Sequence, residues 1–359
     1  MDIVDYKLFT IGPTQMYPST LEVRGHVVPY FRTPEFSKMM LESVDILKRI
    51  QGAEDDAEVI VLTASGSAAM EATVMNCFDT RDKLLVINGG TFGERFVRIC
   101  EIHGIPHEVI RLDVDEELTK SHLEPFRNQG FTGLLINIDE TSTGQLYDID
   151  LLSHFCQEEG LLFVVDAISS FLCDPYEAAA HHVDATIVSS QKGLCIAPGL
   201  SLVTLSPRMV GRLGDIDPKS LYFDFKDYIS NIKRGQTPFT PAVGVCFELA
   251  DMLHKIDQQG VDARVAEVRE RADYFRNLIK DLPVRIPEFP LSNAVTPVIF
   301  EDGMAMGLFA HLKDTCHLMI NPSGGALAGS RIRVSHVGDL ALSDYDELVN
   351  EIKAYLERG

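Results

Sequence analysis

The sequence predicts an α/β protein: a mainly parallel, seven-stranded sheet with helices on both faces, followed by a smaller C-terminal α+β domain. Three observations predict it. Apolar runs of strand length alternate with amphipathic helical stretches through the first two thirds of the chain. From about residue 284 the pattern changes to short strands around a helix. The 359 residues are 45% apolar with no low-complexity tract, enough to bury a large core and divide into two domains. The divisions expected are an N-terminal arm over 1–14, a large domain over 15–258 and a small domain over 259–359.

In chain order, the turn-forming Gly12-Pro13-Thr14 ends the arm. The spacing of Met39, Met40, Val44, Leu47 and Ile50 predicts a helix over 36–50. Strands follow at Val59–Thr63, Leu84–Asn88, Glu108–Leu112, Gly133–Ile138, Leu161–Val165, Ala185–Ser189 and Leu202–Leu205. Helices over 67–78, 92–103, 119–129 and 149–159 separate most of them, with Gly104 and Gly160 as C-caps. Strands joined through helices run parallel and are covered on both faces. The short link between the last two leaves room for one antiparallel strand. Two helical stretches occupy 241–280, and the charges from Arg264 to Arg276 read mostly as a solvated face. Strands at Asn293–Phe300, His317–Ile320 and Arg331–Ser335 then surround a helix over 304–313. The last helix is expected to start at Ser343, with Asp346 completing a capping box, and to bury Leu348, Ile352 and Leu356.

Composition narrows the function. The net charge of −21 disfavours nucleic acid and anionic membranes as partners. An anionic ligand must then be held by a few local donors. No run of about 18 uncharged apolar residues is present, so no membrane span is expected. Met1-Asp2-Ile3-Val4-Asp5 lacks a signal-peptide pattern. The seven cysteines are scattered without a Cys-x-x-Cys pair, which points to a reducing, cytoplasmic setting over a disulfide framework or zinc site.

Chemistry-bearing residues gather at the strand ends. Lys192, in Ser189-Ser190-Gln191-Lys192-Gly193-Leu194, follows the apolar run Ala185–Val188 and has no charged residue within six positions. Such a lysine has a depressed pKa and can attack carbonyl compounds, or it snorkels to the surface from a strand end. Ala64-Ser65-Gly66-Ser67-Ala68-Ala69-Met70-Glu71 links the first sheet strand to a helix. Small residues, hydroxyls and a helix N-terminus suit a phosphate, or form an ordinary serine-rich cap. Asp166 ends an apolar strand 26 residues before the lysine; it pairs with a cationic ring nitrogen or serves as a cap or salt bridge. Phe92, among glycines in Asn88-Gly89-Gly90-Thr91-Phe92-Gly93-Glu94-Arg95, can stack on a flat ligand or join the core. Asp139-Glu140-Thr141-Ser142-Thr143-Gly144 offers hydroxyl donors or is a turn. His181-His182 reads as a loop pair, Cys195 as a packed thiol and Ser323-Gly324-Gly325 as a flexible turn.

The joint order of these elements resembles the pyridoxal phosphate enzymes of fold type I, specifically the class V aminotransferases. The resemblance runs from Gly12-Pro13 to Gly338. It is strongest toward the branch that includes alanine–glyoxylate, serine–pyruvate and 2-aminoethylphosphonate–pyruvate aminotransferases. It implies the PLP-dependent transferase fold, with the large domain binding pyridoxal 5′-phosphate. By the same resemblance, Lys192 forms the Schiff base and moves a proton, and Asp166 pairs with the ring nitrogen. Phe92 stacks on the ring where many relatives carry Trp, and Thr141 donates to the phenolic oxygen. Ser65, Gly66, Ser67 and Gln191 hold the phosphate, with Ser67 standing where some relatives have His. Thr240, in Gln236-Thr237-Pro238-Phe239-Thr240-Pro241, reaches the neighbouring subunit's phosphate, implying a homodimer with shared active sites. Arg333 binds the substrate carboxylate, and Arg331, two positions earlier, is expected on the opposite face. Arg32 contacts a substrate's distal anion or braces the dimer.

The function implied is a ping-pong aminotransferase. It moves an amino group from alanine, serine or 2-aminoethylphosphonate to pyruvate or glyoxylate. A class V lyase, desulfurase-like or cleaving a C–P or C–C bond, would use the same Lys192. A binding or regulatory module without turnover is the third reading, and the intact Lys192, Asp166 and serine-rich cup count against it.

Overall fold

Apolar residues in both phases of each strand build the centre of the molecule. Val59 and Val61 face one core while Ile60 and Leu62 face the other. Leu85 and Ile87, then Leu84 and Val86, divide the same way. A strand buried on both faces has no polar phase, which is why these strands read as continuous apolar runs. The computed structural model describes residues 5–301 and 303–358. Met1 to Val4, the start of the expected arm and of the segment read for a leader, lie outside them.

The chain opens with β1 (Lys7–Phe9), α1 (Pro18–Arg24) and α2 (Pro34–Ile50). It continues through β2 (Glu58–Leu62), α3 (Gly66–Cys77), β3 (Leu84–Asn88), α4 (Thr91–His103), β4 (His107–Arg111) and α5 (Lys120–Leu123). Then come β5 (Gly133–Asn137), a small hairpin of β6 (Asp139–Glu140) and β7 (Gln145–Leu146), α6 (Ile149–Glu159) and β8 (Leu162–Asp166). β9 (Ala185–Ser189) and β10 (Ser201–Leu205) precede α7 (Pro207–Arg212), α8 (Phe225–Ile232), α9 (Val243–Gln259) and α10 (Val261–Ile279). The chain ends with β11 (Val295–Ile299), α11 (Ala305–Asp314), β12 (Leu318–Pro322), β13 (Arg331–Ser335) and α12 (Leu342–Leu356).

The large sheet has the order β2-β10-β9-β8-β5-β3-β4. Only β10 runs against its neighbours, β9 and β2, so the antiparallel strand falls where the short connection allows it. Gly104 and Gly160 end α4 and α6 in the left-handed conformation, at φ 64° and 71°. The second sheet has the order β1-β12-β13-β11, so the N-terminal arm supplies an edge strand to the C-terminal domain.

Four expectations need correction. The helix over 119–129 stops at Leu123, and Glu124–Phe126 is a single 3₁₀ turn, because Pro125 has no N–H for the α-helical ladder. The last helix starts at Leu342; Asp344 accepts from the Ala341 N–H at 2.8 Å, while Asp346 accepts from the Tyr274 hydroxyl. Leu356 is only partly buried. Arg264 and Arg276 are not solvated, because α10 packs against α9, α12 and β11. Arg264 is buried and donates to the Tyr17 hydroxyl, and Arg276 donates to Thr296 Oγ1 and the Ser292 carbonyl.

Candidate active site

Lys192 lies in the turn that carries β9 back into β10. The Ser190 N–H donates to the Leu200 carbonyl and the Cys195 N–H to the Lys192 carbonyl, so the turn is fixed from both sides. The lysine is 8% exposed and lines a cavity of about 160 Å³. The other walls are Gly12, Ser65, Gly66, Ser67, Phe92, Arg95, Asp139, Thr141, Asp166, Ile168, Ser169 and Gln191. Burial pulls the Lys192 ammonium down to about 8, and Arg333 pushes the same way against the attraction of Asp139 and Asp166. Its free amine is therefore far more populated near neutral pH than that of an ordinary lysine, although the ammonium still predominates.

Asp166 closes β8 and faces this cavity. Its Oδ1 accepts from the Ile168 N–H at 2.9 Å. Burial still pushes the carboxyl up to about 7, overriding that hydrogen bond and the charges of Lys192 and Arg95. A carboxyl in that position is incomplete without a cation.

Ser65 is the N-cap of α3 but makes no side-chain cap. The first amides of α3, at Gly66 and Ser67, have no partner within the helix, as at any helix start. A Cβ at Gly66 would lie 2.5 Å from Ile168 Cδ1, so a side chain there would press on a residue that lines the cup. Arg95 donates to Ser67 Oγ at 2.6 Å, and its guanidinium lies 4.9 Å from the Phe92 ring centroid. Gln191 accepts from Ser189 Oγ at 2.7 Å. Two helix amides, hydroxyls and a guanidinium line one small space, a set of donors suited to a dianion. Arg95 supplies the positive charge that the sequence reading lacked. Its place one turn after Phe92's glycine-rich entry was the signal available.

Phe92 is half-buried at the start of α4, and Glu140 fixes it there. The fully buried Glu140 carboxylate accepts from the N–H groups of Phe92, 3.2 Å, and Gly93, 3.0 Å. It also accepts from Asn137 Nδ2, the Ser142 N–H and the Ser142 hydroxyl. Thr141 Oγ1 donates to Ser169 Oγ at 2.7 Å, so this hydroxyl pair lines the cavity together. Asp139 is buried with neither carboxylate oxygen hydrogen-bonded, and burial and the nearby Asp174 and Glu140 push it well above the usual carboxylate range. Gly12, Arg95, Asp139, Glu140, Ile168 and Ser169 are the site residues that sequence reasoning missed.

Arg333 sits beside the cavity, not in its lining. It donates to the carbonyls of Thr141 and Pro322, each at 3.0 Å, and its buried Nε has no partner. Burial lowers its pKa. The expectation for Arg331 is overturned. Side chains two apart on a strand share a face, and Arg331 also reaches the large domain, where it grips Asp115 at 2.7 and 2.9 Å. It is 2% exposed. Arg32 and Thr240 do not line this chain's cavity. Arg32 is exposed and donates to Gln236 Oε1 and the Thr237 and Pro238 carbonyls, tying its loop to the segment before Thr240. Cys195 is fully buried, and His181-His182 lies in a turn. Ser323 is buried, and a short 3₁₀ turn, Gly325–Leu327, follows it.

Sheet order, antiparallel β10 and a lysine past β9 facing an acid at the end of β8 define a PLP-dependent transferase of fold type I. The aminotransferase class-V family model matches residues 21–286, and the chain belongs to that family; it is an aminotransferase. It is 28% identical to an uncharacterized aminotransferase of Methanocaldococcus jannaschii, over 94% of this chain and 89% of the relative. It is 24% identical to the serine–glyoxylate aminotransferase of Methylorubrum extorquens, over 93% and 86% of the two chains. The crystal structure of a Thermus thermophilus aspartate aminotransferase of subgroup IV superposes with a TM-score of 0.90 at 27% identity, covering 99% of each chain.

Proposed function

We propose that the chain moves an amino group from a small donor (alanine, serine or 2-aminoethylphosphonate) to pyruvate or glyoxylate by a ping-pong mechanism, with pyridoxal 5′-phosphate as cofactor. The observation that carries this reading is that Lys192, Asp166 and the dianion cup share one small cavity. The fit to the cofactor rests on the unbalanced Asp166 carboxyl and on the cradle whose wall a Cβ at Gly66 would press on. Bound pyridoxal phosphate supplies an aldehyde that accepts and returns the amino group, and a ring that withdraws electrons from the substrate Cα.

The chain's own residues do the rest. Lys192 Nζ would hold the cofactor through its aldehyde carbon and, when not so engaged, would take the substrate Cα proton and return it. A pKa of about 8 suits that proton traffic. Asp166 balances the protonated ring nitrogen. Gly66 and Ser67 amides, the Ser65 and Ser67 hydroxyls, Gln191 and Arg95 hold the phosphate. Phe92 covers one ring face, and the Thr141 hydroxyl serves the phenolic oxygen. Arg333 pairs with the substrate carboxylate, for which its unpartnered Nε is suited. One such arginine fits small monocarboxylates.

We read the active form as a homodimer in which Thr240 reaches the partner's phosphate and Arg32 contacts a substrate's distal anion or braces the dimer. The support is their exposure beside apolar residues that the single chain leaves uncovered: Val27 at 93%, Tyr30 at 70% and Leu221 at 77%.

The test is a half-reaction. The holoenzyme mixed with one donor at a time, and no oxo acid, should lose the aldehyde-form absorbance and gain the amine-form absorbance with the true donor. Lys192→Ala should show neither cofactor band shift nor turnover. Bands that no donor changes while ammonia, sulfide or phosphate appears would replace the transferase reading with a lyase.

A further inference from the structure

We propose that His311, Cys316 and Glu351 form a three-ligand site for zinc or a metal of similar softness, clipping the end of α11 to α12. His311 lies in the last turn of α11, Cys316 just past its end, and Glu351 on α12. Cys316 Sγ is 3.6 Å from His311 Nε2 and 3.3 Å from Glu351 Oε2. His311 Nε2 is 3.6 Å from the same Glu351 oxygen. Metal bonds of ~2.3 Å to sulfur and ~2.0–2.2 Å to nitrogen and oxygen put the corners of a tetrahedral zinc site about 3.3–3.7 Å apart. The sulfur–nitrogen separation fits its pair, and the other two lie within a few tenths of an ångström of theirs. A three-ligand zinc site takes water as its fourth ligand.

The scaffold holds the three atoms at this spacing. The Thr315 and Cys316 N–H groups both donate to the His311 carbonyl, which turns the chain back so that imidazole and thiol face one point. Leu308 and Leu312 of α11 share a core with Leu348 and Ile352 of α12, which fixes Glu351 opposite. The Tyr355 ring lies 5.4 Å from the His311 ring and limits its orientation. Thiolate and imidazole select zinc-like ions over magnesium or calcium, which take oxygen. Binding makes the sulfur–metal bond and sends the thiol proton, now donated to Glu351, to solvent; no oxidation state changes. The sequence showed no zinc spacing because the ligands come from two elements. None of the three lines the Lys192 cavity, so the site is independent of the transamination reading.

Zinc itself is the probe. The full chain is stripped with a chelator, loaded with Zn²⁺, desalted and assayed for metal. One zinc per chain is expected. Co²⁺ in its place should give the intense red-end bands of tetrahedral cobalt. Cys316→Ser and Glu351→Gln should each lower zinc affinity by more than the ~10–100-fold typical of outer-shell changes. A second measurement uses the unmutated chain. Cys316 is the one cysteine of seven that is not fully buried, so brief alkylation of the folded protein labels it first. Zinc should suppress that label. No retained zinc, equal affinity in the Cys316→Ser chain, or labelling indifferent to zinc overturns the proposal.

Discussion

At the scale of single residues, the site keeps two opposite charges where burial opposes both. The carboxyl of Asp166 rises to about 7 and the ammonium of Lys192 falls to about 8, although each attracts the other. For Asp166 the sign is that of a group that holds its proton more tightly folded than unfolded. The cost of ionising it in the fold grows as pH rises from about 4 to 7 and is constant above that. At ~1.36 kcal/mol per unit, the penalty is of order 4 kcal/mol at most. Asp166→Asn removes it. The cofactor-free variant should therefore melt several degrees above the cofactor-free native chain at pH 8, with the gap closing by pH 4. Scanning fluorimetry across that range reads it. Equal melting at pH 8 would mean that the native carboxylate is already compensated. On the proposed pairing of Asp166 with the cofactor's ring nitrogen, the variant should also be a poor enzyme: stability is given up where function needs an unsatisfied charge.

At the scale of elements, Glu140 ties one strand end to one helix start. Its carboxylate takes the N–H groups of Phe92 and Gly93, and so sets where the aromatic ring stands. Glu140→Ala removes that cap and strands the Asn137 and Ser142 donors as well. Caps are worth ~0.5–2 kcal/mol, and charge-assisted buried bonds more. The variant should melt lower and bind pyridoxal phosphate at least about tenfold more weakly by titration of the apo chain, with Glu140→Gln recovering part of both because its amide oxygen still accepts. Unchanged cofactor affinity would separate the cap from the site. This element also shows what the sequence could tell. The strand ends were legible, because each strand is apolar on both faces and stops where polarity returns. The uncharged neighbourhood of Lys192 left it either buried or snorkelling, and only the joint order of the strand-end motifs singled it out. The acids beside Thr141 were not legible, since a strand-end carboxylate looks the same whether it caps a distant helix, as Glu140 does, or faces a cavity unpaired, as Asp139 does. Arg331 was misassigned by its face, and strand alternation alone places it with Arg333. Arg264 and Arg276 were hidden because a charged helix reads as solvated until its packing partners are known.

At the scale of the whole molecule, the N-terminal arm links the C-terminal sheet to Lys192. β1 pairs in parallel with β12, and the Ile11 N–H donates to Asn321 Oδ1 at 2.8 Å, so the backbone just before Gly12 is held by the C-terminal domain. Gly12 then lies against Lys192. A Cβ there would stand 2.7 Å from Lys192 Cδ and 2.8 Å from Cε. No sequence pattern reports such a contact, because its two ends lie far apart in the chain. With the arm anchored in β-structure, the flexible partner must move, and that partner is the lysine side chain. Gly12→Ala should therefore leave the fold intact and displace Nζ. Overpacking of one methyl costs ~1–3 kcal/mol, equivalent to roughly a 5- to 150-fold loss if it falls on the lysine–cofactor geometry. The measurement is cofactor attachment by absorbance, alongside a melting curve of the cofactor-free chain. Weakened attachment with an unchanged melt assigns the strain to Lys192. An equal fall in both would mean that the arm, and not the lysine, gives way, and that Gly12 serves the junction of the two sheets before it serves the site.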